Sequence, residues 1–279
     1  MCSVPDGSCI IVDSFAFPPP VNGVWVLGAA ADIRVVGPDG TTLQKTFSPP
    51  LEICLPFTAE DVAKVGGTAA NLRLGWAATL GDTWELLPTE VNLKDMLACG
   101  QISHLSIFGI FEPLLPTTGF APGAVTALGE PEVAYNATGM VLEIPSLGVS
   151  MPVVGVPESG DGWKVDWLGE KAGWLNGTSF PTWVGNTAVT GHVVDVDGRP
   201  GPFSMLHTLW WGDEVKLHAW GKTYTYEVRS AVMTTPDNLK MLKHEDLDWL
   251  TLLTCRGFDA DEETYPWRTV VRAVLVDVK

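Results

Sequence analysis

Positive charge is scarce in this 279-residue chain: 17 Lys and Arg stand against 33 Asp and Glu, a formal net charge of −16. No basic run interrupts that imbalance, which argues against a nucleic-acid partner and against electrostatic binding to an anionic membrane. Long apolar runs are missing as well. No stretch approaches the roughly 18–20 consecutive apolar residues of a membrane span. Met1 does not open onto a basic segment and an apolar core, so no signal peptide is expected either. Sustained helical periodicity is absent, whereas 29 Gly and 21 Pro supply turn signals throughout. That combination predicts an all-β chain, long enough for two domains that each bury a core.

Cysteine is sparse and unevenly placed. Of the five, Cys2, Cys9, Cys54 and Cys99 precede residue 100, and Cys255 stands alone. Four cysteines permit three pairings. Cys54 with Cys99 and Cys2 with Cys9 are favoured, because the long-range partners lie in strand-like runs. A disulfide of this kind stabilises by roughly 2–4 kcal/mol and implies an oxidising exterior. An unpaired Cys255 keeps a reactive thiol. Metal chemistry finds no support. Asp195-Val196-Asp197-Gly198-Arg199-Pro200 lacks the regularly spaced oxygen donors of a calcium loop and reads as a turn. Asp259, Asp261, Glu262 and Glu263 read as a solvated face. Among the 12 Trp, most are expected in the core, with Trp25, Trp84, Trp163 and Trp220 in strand-like runs.

What the sequence does hold is a cluster of chemistry near its C-terminus. The apolar run from Trp249 to Leu253 leads into Thr254-Cys255-Arg256. A polar, acidic loop follows, and then a Val-rich run from Arg268 to Val278. Two such runs predict an antiparallel hairpin with Cys255 beside Arg268. A guanidinium next to a thiol favours the thiolate and can donate hydrogen bonds to a developing oxyanion. Thiol acyl chemistry also needs a histidine. His192 closes Gly185-Asn186-Thr187-Ala188-Val189-Thr190-Gly191-His192, a short strand between glycines, and is expected exposed at a rim. His207, His218 and His244 sit in ordinary segments.

This order and these motifs resemble the sortases, cysteine transpeptidases of bacterial surfaces, over about Val141 to Lys279. The Thr251-Leu252-Leu253-Thr254-Cys255 strand end, the Arg268 that opens the next strand and the His192 strand end carry the resemblance, with Leu142 to Val149 similar to the family's opening strand. The L,D-type transpeptidases need a Ser-x-Gly-Cys segment that is absent. The resemblance implies a barrel of about eight strands with short helices. It also implies a cofactor-free mechanism, with Cys255 as nucleophile, His192 as general acid and base and Arg268 at the oxyanion. Thr254 and Thr251 are candidate substrate-binding residues. The partners implied are a peptide or protein with a sorting signal and an amine acceptor on the cell envelope. The location implied is the outside of a bacterial cell, with the membrane anchor lying outside this chain.

Residues 1–112 read as a β-sandwich, residues 113–132 as a proline-rich linker and residues 133–279 as the catalytic domain. In the sandwich, Thr58-Ala59-Glu60-Asp61 signals a capped helix start, and Ile102 to Phe111 reads as one strand. Cys99 to Phe108 contains His104-Leu105-Ser106, which resembles the end of autoproteolytic sandwich domains of adhesion receptors. There the histidine activates a hydroxyl against the preceding carbonyl, here a cut at Leu105–Ser106. In the linker, Leu115-Pro116-Thr117-Thr118-Gly119 matches the Leu-Pro-x-Thr-Gly signal that sortases cut between Thr and Gly. It reads as a proline linker that matches a short pattern, or as a tethered substrate or plug in contact with the attached enzyme. Two other functions stay open: a catalytically silent surface structural or binding protein, and an autoproteolytic sandwich protein.

Overall fold

The computed structural model describes residues 8–16, 26–43, 46–64, 69, 72–79, 82, 84–111, 114–131, 133–159 and 162–279. The chain divides into two compact units, Met1–Pro113 and Leu114–Lys279. The division places the Leu-Pro-Thr-Thr-Gly segment with the second unit. Among the described residues, apart from one short helix, α1 (Ala59–Lys64), and a few 3-10 turns, the regular elements are strands.

In the first unit the strands are β1 (Cys9–Ala16), β2 (Val26–Val36), β3 (Thr42–Leu43), β4 (Leu51–Pro56), β5 (Arg73–Ala77), β6 (Glu85–Leu87), β7 (Glu90–Asn92), β8 (Leu97–Ile102) and β9 (Ile107–Phe111). They form one sheet in the order β1-β2-β9-β5-β6, with β3 on β2, and a second in the order β4-β8-β7. Leu27, Leu74, Ala98, Phe108 and Ile110 are buried. A Cβ at Gly100 of β8 would lie 3.0 Å from a Leu74 methyl of β5. The two sheets meet there as a sandwich. Cys54 and Cys99 face each other across β4 and β8 and are joined by a disulfide.

Two expectations for this unit change. The favoured Cys2–Cys9 pair does not form: Cys9 opens β1 as an exposed free thiol, and Cys2 lies outside the described residues. The run Ile102 to Phe111 is two strands. The polar Ser103-His104-Leu105-Ser106 turn separates β8 from β9 and sends them into different sheets. Trp25, expected in a strand-like run, also lies outside the described residues. The helix start is a reciprocal cap. Asp61 N–H donates to Thr58 Oγ1 at 3.2 Å, and Thr58 N–H donates to Asp61 Oδ2 at 2.8 Å, so each satisfies an otherwise orphaned donor.

The second unit contains β10 (Asn136–Ile144), β11 (Val149–Val156), β12 (Glu158–Ser159), β13 (Gly162–Trp163), β14 (Ala172–Leu175), β15 (Gly185–Thr190), β16 (Glu214–Ala219), β17 (Lys222–Thr234), β18 (Asp248–Arg256) and β19 (Trp267–Val278). Eight of them close a barrel in the order β10-β11-β14-β15-β18-β19-β17-β16. Strand alternation sorts the apolar side chains onto two faces. Leu250 and Leu252 join Leu142, Leu217, Tyr226 and Val271 in one cluster. Leu253 joins Val156, Leu168, Ala188 and Val270 in another. With both faces covered, β18 is buried along nearly its whole length, which is why it reads as a continuous apolar run.

Trp84 and Trp163 are buried as expected, but Trp220 is 59% exposed. It shares a tight turn with Gly221 between β16 and β17, both residues at positive φ (51° and 73°). Such a turn matches the strand twist and points its side chains outward.

Candidate active site

Register brings the three catalytic candidates together. β15 and β18 run parallel, with Thr190 opposite Leu253. His192 and Cys255 each lie two residues beyond that pair, at the same rim. β19 runs antiparallel to β18 and sets Arg268 opposite Cys255. Two hydrogen bonds lock the junction: Thr190 Oγ1 donates to Leu253 O at 2.9 Å, and Thr254 Oγ1 donates to Gly191 O at 2.7 Å.

Across this rim lies the Leu115–Gly119 segment. Leu115, Pro116 and Thr118 are buried, while Thr117 is exposed. Arg268 grips the backbone: Nε donates to Pro116 O at 2.9 Å, and Nη2 donates to Leu115 O at 3.3 Å and Thr117 Oγ1 at 3.0 Å. Its Nη1 donates to Tyr265 O and Trp267 O at 2.8 and 3.1 Å. Five contacts use the five donors of the guanidinium. Thr118 N–H donates to Cys255 Sγ at 3.1 Å, and Thr118 O accepts from Val193 N–H at 2.8 Å. The Thr118 and Thr254 hydroxyls are 3.4 Å apart. Leu115 N–H reaches Pro236 O at 2.7 Å.

Beyond Thr118 the chain continues along the same cleft. Phe120 N–H donates to Val194 O at 3.2 Å, and Tyr265 Oη donates to Phe120 O at 2.8 Å. The Phe120 ring lies 5.1 Å from the His192 ring, centre to centre. Gly119 has no room for a side chain. A Cβ there would come within 2.6 Å of Val193 Cγ1 and 2.8 Å of the Tyr265 ring.

His192 is therefore not exposed at the rim, as expected, but 1% exposed, because Phe120 and its neighbours cover it. Neither ring nitrogen has a hydrogen-bond partner. Burial pushes its pKa below the ordinary histidine value, opposed by the nearby backbone of Asp166 and Thr118 and the charges of Asp166 and Asp195. Burial likewise pushes the Cys255 thiol up, against the Arg268 charge and the Thr118 N–H that pull it down. Desolvation disfavours both charged forms, so the covered site holds a neutral thiol and a neutral imidazole. Burial also raises the Tyr265 phenol to about 12, helped by Cys255.

Thr254 touches the segment, but Thr251 does not belong with it. The Thr251 hydroxyl donates to Asn186 Oδ1 at 2.6 Å, and Asn186 in turn donates to Met241 O and Lys243 O. That network holds the turn at 239–242 against β15. The acids after Cys255 form a closed turn in which Asp259 Oδ1 accepts from Asp261 and Glu262 N–H. Among the described residues no group of acids, histidines and cysteines has the makings of a metal site. In the first unit His104 Nδ1 lies 3.2 Å from Ser106 Oγ, with its ring 4.2 Å from that of Trp76. Sequence reasoning missed Val193, Phe120 and Tyr265. Tyr265 offered a faint signal as one of two aromatics, with Phe258, in an acidic loop. Val193 contributes a backbone amide, which no residue type announces.

Residues 142–276 match the sortase domain family, and the C-terminal unit is a sortase domain, of the class of cysteine transpeptidases. Similar solved structures include sortase C from Clostridium perfringens SM101, at 28% identity and a TM-score of 0.40, over 51% of this chain and 72% of that one. A mutant of sortase E from Streptomyces avermitilis is similar at 25% identity and a TM-score of 0.43, over 53% of this chain and 93% of that one. A Clostridium perfringens sortase C structure with the C-terminal cell wall sorting motif matches at 28% identity and a TM-score of 0.42, over 52% and 74%. No curated protein matches the chain.

Proposed function

We propose that the C-terminal unit cleaves Leu-Pro-x-Thr-Gly-like peptides between Thr and Gly and transfers the acyl part to an amine on the outside of a bacterial cell. One observation carries this reading. A segment of that sequence lies in the cleft with its threonine N–H on Cys255 Sγ and its upstream backbone on Arg268. The cross-strand disulfide of the first unit supports an oxidising, extracellular setting.

In this mechanism the Cys255 thiol gives its proton to His192, and Sγ attacks the threonine carbonyl carbon. The sulfur–carbon bond forms and the carbonyl oxygen becomes an oxyanion. The hydrogen bonds support a division of labour that differs from assigning the oxyanion to Arg268. The Val193 N–H meets the acyl oxygen, while Arg268 holds the leucine and proline carbonyls and the x side chain and supplies positive charge beside the thiolate. Thr254 orients the substrate threonine. His192 then protonates the departing glycine nitrogen as the C–N bond breaks, leaving a thioester. An incoming amine yields a proton to His192, attacks the thioester and restores the thiol. Water in place of the amine gives hydrolysis.

The test replaces residues 115–119 by a Gly/Ser stretch, to open the cleft, and supplies a Leu-Pro-Thr-Thr-Gly peptide with an oligoglycine acceptor. Ligated product is expected, and Cys255→Ala should abolish it. Cleavage that persists in Cys255→Ala, or no cleavage by either the native or the opened chain, overturns the proposal.

A further inference from the structure

We infer that this chain is its own substrate: Cys255 cuts the Thr118–Gly119 bond of the same molecule and carries residues 1–118, including the whole first unit, as acyl cargo for an external amine. This rests on the peptide chemistry proposed above and extends it from a free peptide to the protein's own backbone.

Three features separate a substrate from a segment that merely fills the cleft. The first is register. Backbone groups from Leu115 to Phe120 are held by Pro236, Arg268, Cys255, Val193, Val194 and Tyr265. The sulfur sits against the residue whose carbonyl would be attacked, and that carbonyl already accepts a backbone N–H. The second is Gly119. Its surroundings exclude a Cβ, so the position that would become the new amine admits only glycine. The third lies after the scissile bond. The Phe120 ring rests on His192 and Phe120 is hydrogen-bonded on both sides of its peptide unit. The residue that follows the departing nitrogen is thereby held against the imidazole that must protonate it. Tethering also places the segment at a local concentration of roughly millimolar or more.

The step balances within the chain. The Sγ–C bond to Thr118 forms, the C–N bond to Gly119 breaks, and the thiol proton reaches the Gly119 nitrogen through His192. Because the Gly119 amine stays attached to the catalytic unit, it competes to close the thioester again. Intact chain therefore predominates until an outside amine captures the acyl group. That amine loses one proton to His192 and leaves Cys255 as a thiol. The acceptor class is an unhindered primary amine of the N-terminal glycine type, since it must take the place of Gly119 against Val193 and Tyr265.

Intact-mass spectrometry of the purified full chain with excess biotinylated triglycine tests this. The expected products are residues 1–118 joined to the tag and residues 119–279, formed at a rate independent of protein concentration and absent in Cys255→Ala. Gly119→Ala, with folding checked by circular dichroism, should slow the reaction by about a hundredfold, since a misfit of 1 Å near the reacting atoms has that scale of effect. If no tagged 1–118 fragment forms while the opened chain ligates free Leu-Pro-Thr-Thr-Gly peptide, the segment is an inhibitory strap and self-transfer is wrong, though the peptide activity stands. If neither reaction occurs, both proposals fall. A rate that rises with protein concentration would show cutting between molecules and would also overturn the inference.

Discussion

Each unit of this chain places a histidine near a nucleophile, and the two pairs differ in a useful way. In the first unit His104 and Ser106 are two residues apart, and one turn brings Nδ1 within 3.2 Å of Oγ. In the second, His192 and Cys255 come from separate strands, and the imidazole has no hydrogen bond at all. Judged by contact alone, the serine pair is the better formed. Yet residues 103–106 stay out of the left-handed backbone region, and the His104 ring packs edge-on against Trp76. The cysteine pair instead has a peptide lying over it, with Val193 N–H on the Thr118 carbonyl and Arg268 on the Leu115 and Pro116 carbonyls. A histidine close to a nucleophile is common. What marks a site for acyl transfer is a carbonyl held at the nucleophile by groups from distant strands.

The sharpest way to break this comparison is to ask which pair reacts. Cys255→Ala should lower ligation of a sorting-type peptide by about 10⁴-fold or more, as loss of a covalent nucleophile does. The Leu105–Ser106 bond should remain intact in both proteins. Fragments of 1–105 and 106–279 in freshly made protein, seen by mass spectrometry, would reverse the ranking.

Arg268→Lys comes next. An ammonium cannot reproduce the fork that joins Leu115 O, Pro116 O and Thr117 Oγ1. Losing two charge-assisted hydrogen bonds at roughly 1.5–3 kcal/mol each predicts a drop in kcat/KM of about 10²–10⁴-fold. Because these bonds hold the substrate upstream of the reacting carbon, KM should rise with the fall in kcat. A pure kcat effect would return the oxyanion role to the arginine.

A smaller effect should divide the units by stability. Replacing Cys54 and Cys99 by Ser should destabilise the first unit by about 2–4 kcal/mol. Differential scanning calorimetry should then show an early transition for that unit, with the barrel transition unmoved.

The smallest expected effect lies inside the barrel, at Asp248. Burial pushes its carboxyl up to about 6, against a Tyr226 hydroxyl that pulls it down. Its Oδ2 has no partner. A carboxyl raised on folding favours the folded state when protonated, so its contribution is complete below about pH 4 and is lost as pH rises through about 6. Asp248→Asn should therefore raise the barrel's Tm by about 2–4 °C at pH 7–8 and leave it little changed near pH 4. An unchanged pH dependence of Tm would show that the carboxyl titrates as an ordinary one.

Much of the catalytic unit was legible because its signals are local. The hairpin that sets Cys255 opposite Arg268 follows from two β-type runs and one loop. His192 was legible as a strand end beside Gly191. Its burial was not, because the residues that cover it lie some seventy positions earlier in the chain. The same limit explains Thr251. It lies two strand steps from Cys255 and shares its motif, but its hydroxyl is committed to Asn186 on the neighbouring strand. The break between β8 and β9 was hidden by an apolar run on either side of four residues. Cys9 was misjudged because pairing by elimination says nothing of where a side chain points.

The order of elements, the turn chemistry and the residue types available for acyl transfer were determined by the sequence itself, since alternation, capping and glycine placement act over a few positions. Closure of the barrel, and with it the meeting of parallel strands β15 and β18 at one rim, was decided only in three dimensions. So was the seating of Leu115–Gly119 against Cys255, Val193 and Arg268. A five-residue match is the same string whether it hangs in solvent or lies in a cleft. Only the partners of its backbone amides and carbonyls distinguish the two, and those partners lie far along the chain, 137 residues away at Cys255 and 152 at Arg268.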